Sequence, residues 1–129
     1  MIIADTSVWV EFFRRRDSSI ARALDSLLAQ GEIAMTGVVL AEVLQGARDH
    51  DDFRRLADLM AGLPFLEMRQ ETWVQAGELS FGLRREGRLV PLTDLVLAAV
   101  ALEGGHEIFT LDEHFGRVPG LRLHEAGPE

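Results

Sequence analysis

The sequence predicts an α/β domain built on a mostly parallel sheet. Short apolar runs alternate with longer segments of helical periodicity, which is the pattern typical of this class. The 129 residues, of which 47% are hydrophobic and 26% charged, are enough for one globular domain with a sizeable core. We expect a single domain over residues 1–125 and a short flexible tail over residues 126–129.

The first half of the chain predicts two strands and four helices. MIIAD is the first strand, and TSVWVEFFRRR is a helix that ends in arginines. A second helix, SSIARALDSLLAQG, carries apolar residues at helical spacing and closes at Gly31. EIAMT is the second strand, and the next helix, GVVLAEVLQGA, carries Glu42 in its middle. DFRRLADLMAGL repeats the amphipathic pattern and ends at Gly62 and Pro64.

The second half predicts three strands and two helices. PFLEM is a short third strand, and a long helix follows over residues 71–86 with Trp73, Ala76 and Gly77 on one face. The segment DLVLAAVALEGG is apolar around nearly its whole circumference, so we expect that helix to be buried. EIFT and LRLH are the fourth and fifth strands.

The composition excludes several classes of chemistry. The chain has no cysteine, which excludes disulfides, thiolate zinc sites and cysteine nucleophiles. It also has no lysine, because all 13 basic residues are arginine, and this excludes a Walker A loop and a Schiff-base mechanism. The spacing of the four histidines predicts no histidine ligand.

The charge limits the kinds of partner. A net charge of -8 opposes binding of nucleic acid by broad phosphate neutralisation, so any such contact must be local. The arginines cluster at 14–16, 54–55 and 84–88, either as a basic strip or as solvated residues near helix ends. The longest uncharged apolar stretch, residues 95–102, is too short to span a membrane. MIIAD lacks the features of a signal peptide, so we expect a cytoplasmic protein.

Four carboxylates stand within apolar sequence. Asp5 ends the first strand and Asp112 follows the fourth, and ligands gather at the carboxyl ends of parallel strands. Asp94 is expected in the first turn of the buried helix, where the helix dipole favours an anion. Glu42 projects from the helix after the second strand. Burial of an unpaired carboxylate is costly, so each of the four needs a partner, water or a cation.

Each aspartate also has a purely structural interpretation. Asp5 can cap a helix, Asp94 can compensate the helix dipole, and Asp112 can start a turn. Glu42 fits neither a cap nor a turn, although it can face water. Four carboxylates in one cleft, however, repel each other and cannot all stay ionised without a cation. Oxygen ligands suit Mg²⁺ or Mn²⁺, which can activate water for attack on a phosphodiester.

Four segments carry a resemblance to a known family. They are IIADTSVWVEFF, LAEVLQGA, PLTDLVLAAVA and IFTLDEHF, and they spread over residues 2–115. In this order they closely resemble a PIN-domain protein, specifically the toxin ribonuclease of a VapBC-type toxin–antitoxin pair. The resemblance implies a PIN-like three-layer fold, in which a five-stranded parallel sheet is flanked by helices.

The resemblance also implies the site residues. Asp5, Glu42, Asp94 and Asp112 take the four acidic positions, as catalytic residues and as ligands of Mg²⁺ or Mn²⁺. Ser7 and Thr110 match hydroxyl positions that orient carboxylates or phosphate.

An endoribonuclease that cuts structured RNA, such as transfer or ribosomal RNA, is therefore expected. The family further implies a homodimer and a cognate VapB-type antitoxin whose C-terminal segment covers the active site.

Two other functions are compatible with the sequence. The first is a PIN-like module that binds RNA or protein without cleavage, and the intact acidic set argues against it. The second is a solitary, structure-specific nuclease directed at DNA, which usually has additional DNA-binding segments. Metal-dependent cleavage of RNA distinguishes the expected ribonuclease from both.

Overall fold

The fold is built on a five-stranded sheet in which every strand runs parallel to its neighbours, as predicted. We analysed a computed structural model of the chain, which describes residues 1–126. The spatial order of the strands is β3-β2-β1-β4-β5. The strands are β1 (Ile2–Ala4), β2 (Ile33–Thr36), β3 (Phe65–Leu66), β4 (Glu107–Phe109) and β5 (Arg122–Leu123). The chain therefore builds outward from β1 on one side, then returns to its other side, which makes the gap between β1 and β4 the topological switch point.

Six helices flank the sheet. They are α1 (Thr6–Arg14), α2 (Ser19–Ala29), α3 (Gly37–Gln45), α4 (His50–Ala61), α5 (Gln70–Arg85) and α6 (Leu92–Gly104). A short 3₁₀ helix, Glu113–Arg117, joins β4 to β5. The predicted order of elements is confirmed. The outer strands β3 and β5 are only two residues long, shorter than the runs PFLEM and LRLH that predicted them.

The core fixes β1 and α6 at the centre of the domain. All three residues of β1 are buried, and Trp9 of α1 and Ile108 of β4 are completely inaccessible to solvent. Every residue of α6 from Leu95 to Ala101 is buried, as its uniformly apolar sequence predicts. Because α6 contacts both α5 and β4, its apolar residues have a packing partner on each side. Asp94, in its first turn, is thereby anchored to the core.

The amphipathicity of α5 differs from the sequence prediction. Of the three residues predicted to share one face, Ala76 is buried, whereas Trp73 is 53% exposed and Gly77 is also exposed. The buried side is formed by Thr72, Ala76 and Leu83. The outer side of α5 therefore presents an apolar surface, which also includes Phe81.

Two further predictions concern the C-terminal tail and membrane-spanning segments. Ala126, the first residue of the predicted flexible tail, packs against the main core, and residues 127–129 lie outside the described part of the structure. Among residues 1–126, no helix combines the length and the apolar character that crossing a bilayer requires.

Two glycines make a matched test of these helices. Gly82 lies inside α5, and an added Cβ would meet no atom within 4 Å, so we expect Gly82→Ala to raise the free energy of unfolding by up to about 1 kcal/mol. Gly105 caps the C-terminus of α6 with φ of 69°, a left-handed conformation that is unfavourable for other residues. Gly105→Ala is therefore expected to lower the free energy of unfolding by about 1 kcal/mol. Urea unfolding followed by circular dichroism measures both changes. Equal shifts for the two variants would contradict these assignments.

Candidate functional site

The carboxylate of Asp5 is held at the switch point by three donors. Asp5 follows β1, caps α1 and is only 5% exposed. Its Oδ1 accepts hydrogen bonds from the Ser7 hydroxyl at 2.5 Å and the Val8 backbone N–H at 3.3 Å. Its Oδ2 accepts one from the Thr110 hydroxyl at 2.5 Å. The two predicted hydroxyl positions thus both contact this carboxylate. Burial raises the pKa of Asp5, and these hydrogen bonds offset part of the rise.

Asp94, Asp112 and His114 form a second group beside it, which we call the ligand triad. One side-chain ligand atom from each lies within 4.8 Å of the other two. His114 Nδ1 is 2.9 Å from Asp112 Oδ1 and 3.4 Å from Asp94 Oδ2. This nitrogen is buried, and neither oxygen lies in line for a directed hydrogen bond. The three side chains therefore point into one common space.

Electrostatic repulsion connects the ligand triad with Asp5. The pKa of Asp94 is raised mainly by burial, then by the negative charge of Asp112 and, more weakly, by that of Asp5. His114 acts in the opposite direction and lowers it. The site thus concentrates negative charge that water cannot fully screen, which is the environment that a cation relieves.

Backbone contacts hold the triad in register. Thr110 Oγ1, which donates to Asp5, also accepts from the Asp112 N–H at 2.9 Å. Asp112 then caps the 3₁₀ helix by accepting from the His114 N–H at 3.0 Å. At the far end of this helix, Arg117 Nη1 donates to the Leu89 carbonyl, in the loop before α6, at 3.0 Å. The segment that carries two triad residues is thereby joined to the segment that precedes the third.

Glu42 lies apart from the triad. It is half-buried on α3, and its Oε1 accepts a hydrogen bond of 2.7 Å from the hydroxyl of Thr6, the residue that follows Asp5. It does not belong to the close group of ligand atoms formed by Asp94 and its neighbours. Glu42 instead lines a groove on the α1–α3 side of the site. The structure therefore brings Asp5, Asp94 and Asp112 together and leaves Glu42 outside this group, joined by a hydrogen bond to the residue that follows Asp5.

Sequence reasoning did not single out His114, which the structure places beside Asp94 and Asp112. The spacing of histidines gave no signal, because His114 is the only histidine of the triad. An Asp-x-His sequence at a turn was the available clue. An Asp that caps a one-turn helix places the side chain two residues later beside its own carboxylate, as Asp112 and His114 show.

The chemistry of the donor set fits a divalent cation. Two carboxylates and one imidazole are available in the triad, and Asp5 adds a nearby negative charge. Carboxylates suit Mg²⁺ and Mn²⁺, and the imidazole is a common ligand of transition metals, so the side chains present are compatible with either ion. A second groove of about 420 Å³, lined in part by Ser7, Asp112 and His114, leaves the triad open to a ligand.

The fold and the site together define a parallel α/β domain with an acidic cleft at its switch point. A family model for the PIN domain matches residues 2–121. The chain belongs to the PIN-domain family, and its relatives place it with the VapC-type members.

Relatives in mycobacteria support this placement, and a solved structure shares the fold. Ribonuclease VapC11 of Mycobacterium tuberculosis is 34% identical over 119 residues, which are 89% of each chain. Ribonuclease VapC18 of the same species is 31% identical over 121 residues, 91% of this chain and 86% of the relative. The structure of VapBC2 from Rickettsia felis bound to a promoter DNA fragment has a similar chain, with a TM-score of 0.79 at 23% identity. That match covers 96% of this chain and 98% of the other.

Metal binding should stabilise the domain. We expect Mn²⁺ at about 100 times its dissociation constant to raise the free energy of unfolding by about 2.7 kcal/mol relative to protein in EDTA. Asp94→Asn should remove most of this increase, because it deletes one ligand without changing the shape of the side chain. Asp58→Asn, on the exposed side of α4, is the matched control and should retain it. Thermal unfolding with and without Mn²⁺ measures the effect, and equal stabilisation of both variants would place the ion elsewhere.

The raised pKa values give this stabilisation a definite pH dependence. Because Asp5 and Asp94 have raised pKa values, their ionisation opposes folding, and without metal their contribution to stability falls as pH rises through those values. Mn²⁺ requires deprotonated ligands, so its stabilising effect should have the opposite trend, small near the ordinary aspartate pKa of 3.8 and larger above it.

The measurement is the difference in Tm between Mn²⁺ and EDTA at each pH. Asp52 and Glu103, whose pKa values are lowered by their own hydrogen bonds, affect both conditions alike and cancel in that difference. A difference that does not change with pH would argue against carboxylate ligation.

Proposed function

We propose that the chain is a Mg²⁺- or Mn²⁺-dependent endoribonuclease and the toxin of a type II toxin–antitoxin pair. Its substrate is structured RNA, either transfer or ribosomal RNA, in which it hydrolyses phosphodiester bonds. The observation that carries the proposal is the convergence of Asp94, Asp112 and the buried Asp5 at the switch point of the sheet. Its relatives at 31–34% identity bear the name ribonuclease, which supports RNA as the substrate.

We assign the residues of the site as follows. Asp94 and Asp112 hold the cation, with His114 as a third donor that the sequence did not predict. When bound, the cation lowers the pKa of a water molecule and neutralises the charge that grows on the phosphate. Asp5, fixed by its three donors, adds negative charge beside the cation and holds the loop after β4 in place. Glu42, whose Oε1 accepts a hydrogen bond from Thr6, is in this proposal the fourth acidic residue of the site, as the sequence predicts.

The proposed partners are a VapB-type antitoxin and a second copy of the chain. Solved chains of similar fold come from VapBC complexes, and the net charge of -8 suits a basic inhibitory segment laid over the carboxylates. The outer side of α5, with Trp73, Val74 and Phe81 each more than half exposed, supplies an apolar surface for a homodimer. We propose that the protein acts in the cytoplasm, where its RNA substrates are.

Cleavage of purified RNA tests the proposal directly. The protein, freed of antitoxin, is incubated with total RNA and Mg²⁺ or Mn²⁺, and the products are resolved by electrophoresis. EDTA is expected to abolish cleavage, and Asp94→Asn to reduce the rate by about 100-fold or more, because an incomplete site loses several kcal/mol of transition-state stabilisation. Asp58→Asn, which preserves the site, is expected to cleave at the normal rate.

The other outcomes identify the alternatives. Cleavage that survives both EDTA and Asp94→Asn would falsify the metal–carboxylate mechanism. RNA binding without cleavage in either metal would show a binding module. Preferential cleavage of branched or nicked DNA over RNA in the same assay would show a structure-specific DNA nuclease.

A further inference from the structure

We propose that a groove between α1, α3 and α4 binds the RNA nucleotides next to the scissile phosphate, with Arg14 and Arg16 as the phosphate-binding residues. This inference rests on the proposed ribonuclease function and names a part of the molecule that the metal site does not include. The groove has a volume of about 430 Å³, within the range of sites that hold small ligands. We call it the arginine groove, after the four arginines among its lining residues: Arg14, Arg16, Arg48 and Arg55.

The charge of the arginine groove is opposite to that of the whole chain. Its four arginines face only two carboxylates, Glu42 and Asp52, whereas the chain carries a net charge of -8. Such a local excess of positive charge attracts a polyanion that the rest of the surface repels. This arrangement meets the requirement, set by the acidic composition, that any contact with nucleic acid be local.

Two of the four arginines are engaged within the protein. Arg55 forms an ion pair of 2.5 Å with Asp52, and Arg48 lies 3.5 Å from the same carboxylate. Arg14 has no carboxylate partner among residues 1–126, and Arg16 is held over the Phe12 ring at 4.2 Å from its centre. Arg14 and Arg16 are therefore the charges available to a ligand phosphate.

The remaining lining of the groove suits a nucleotide base. Its apolar part is formed by Val10, Phe13, Val43 and Leu56. The Phe13 ring is fixed by aromatic contacts, stacked on Trp9 with ring centres 5.9 Å apart. Arginines beside a rigid aromatic ring are the combination with which proteins bind single-stranded RNA, through the phosphates and by stacking of the bases.

Glu42 links the arginine groove with the surroundings of Asp5. This residue lines the groove, and its carboxylate accepts the hydrogen bond from Thr6, which directly follows Asp5. A strand whose scissile phosphate lies at the triad can thus place its neighbouring nucleotides in the groove. The carboxylates attract the phosphate only through a cation, so the arginines supply the attraction that the site itself lacks.

Binding of RNA to an inactive variant tests this inference independently of catalysis. A fluorescein-labelled single-stranded RNA is titrated with Asp94→Asn protein in Mn²⁺, and anisotropy gives the dissociation constant. Addition of Arg14→Gln and Arg16→Gln is expected to weaken binding roughly tenfold and to reduce the slope of log K against log salt by about 1.4, for two lost phosphate contacts. The control, Arg84→Gln with Arg85→Gln, removes the same charge from α5 and should change neither value appreciably.

The same substitutions in the active protein separate substrate binding from chemistry. Arg14→Gln with Arg16→Gln should raise KM roughly tenfold and leave kcat near its normal value, because neither residue reaches the triad. Equal effects of the two arginine pairs would overturn the groove assignment and leave the ribonuclease function standing. Loss of antitoxin binding with unchanged RNA affinity would overturn it in favour of a protein-docking groove. Arginine-dependent RNA binding without any cleavage would support the groove and refute the proposed function.

Discussion

The buried carboxylate of Asp5 is the constraint on which the rest of the site depends. It ends the central strand, begins the first helix and receives the Thr110 hydroxyl from the chain beyond β4. One side chain thus joins β1 and α1 to the segment after β4, 105 residues further along the chain, at the point where the strand order reverses. Burial raises the free-energy cost of ionising this carboxyl group, and three hydrogen-bond donors offset part of that cost. Thr110, which donates to Asp5, also accepts from the Asp112 N–H, so the same contacts position this part of the ligand triad.

The carboxylates proposed as the acidic site also stabilise the starts of helices. Asp5 and Asp112 each cap a helix, and Asp94 stands in the first turn of another. The structural interpretations of the three aspartates therefore agree with the structure and are compatible with the proposed functional role, because a helix that follows a parallel strand begins at the edge where ligands gather. The domain obtains a concentrated negative site from positions that its local structure already favours as acidic.

The sequence predicted the features that depend on local pattern and missed those that depend on packing between distant segments. The uniformly apolar segment of α6 indicated a buried helix, and strand-end aspartates indicated the edge of the sheet. His114 lies in the site because a short 3₁₀ helix begins after Asp112, and so short a helix leaves no hydrophobic periodicity in the sequence. The exposed face of α5 was equally hidden, since Trp73 is exposed only because Thr72 and Ala76 take the buried side. The position of Glu42 could not be predicted either, because it depends on a hydrogen bond with Thr6, 36 residues earlier in the chain.

The hydrogen bond from Arg117 to the Leu89 carbonyl constrains the geometry of the site. It fastens the turn that carries Asp112 and His114 to the loop that leads into α6, while α6 itself is anchored by the core. The turn is therefore tied to the loop in front of Asp94 by a direct contact as well as through the core. The spacing between the proposed ligands is thus constrained by the core around α6 and by this loop contact, and not by the two-residue strand β5 alone.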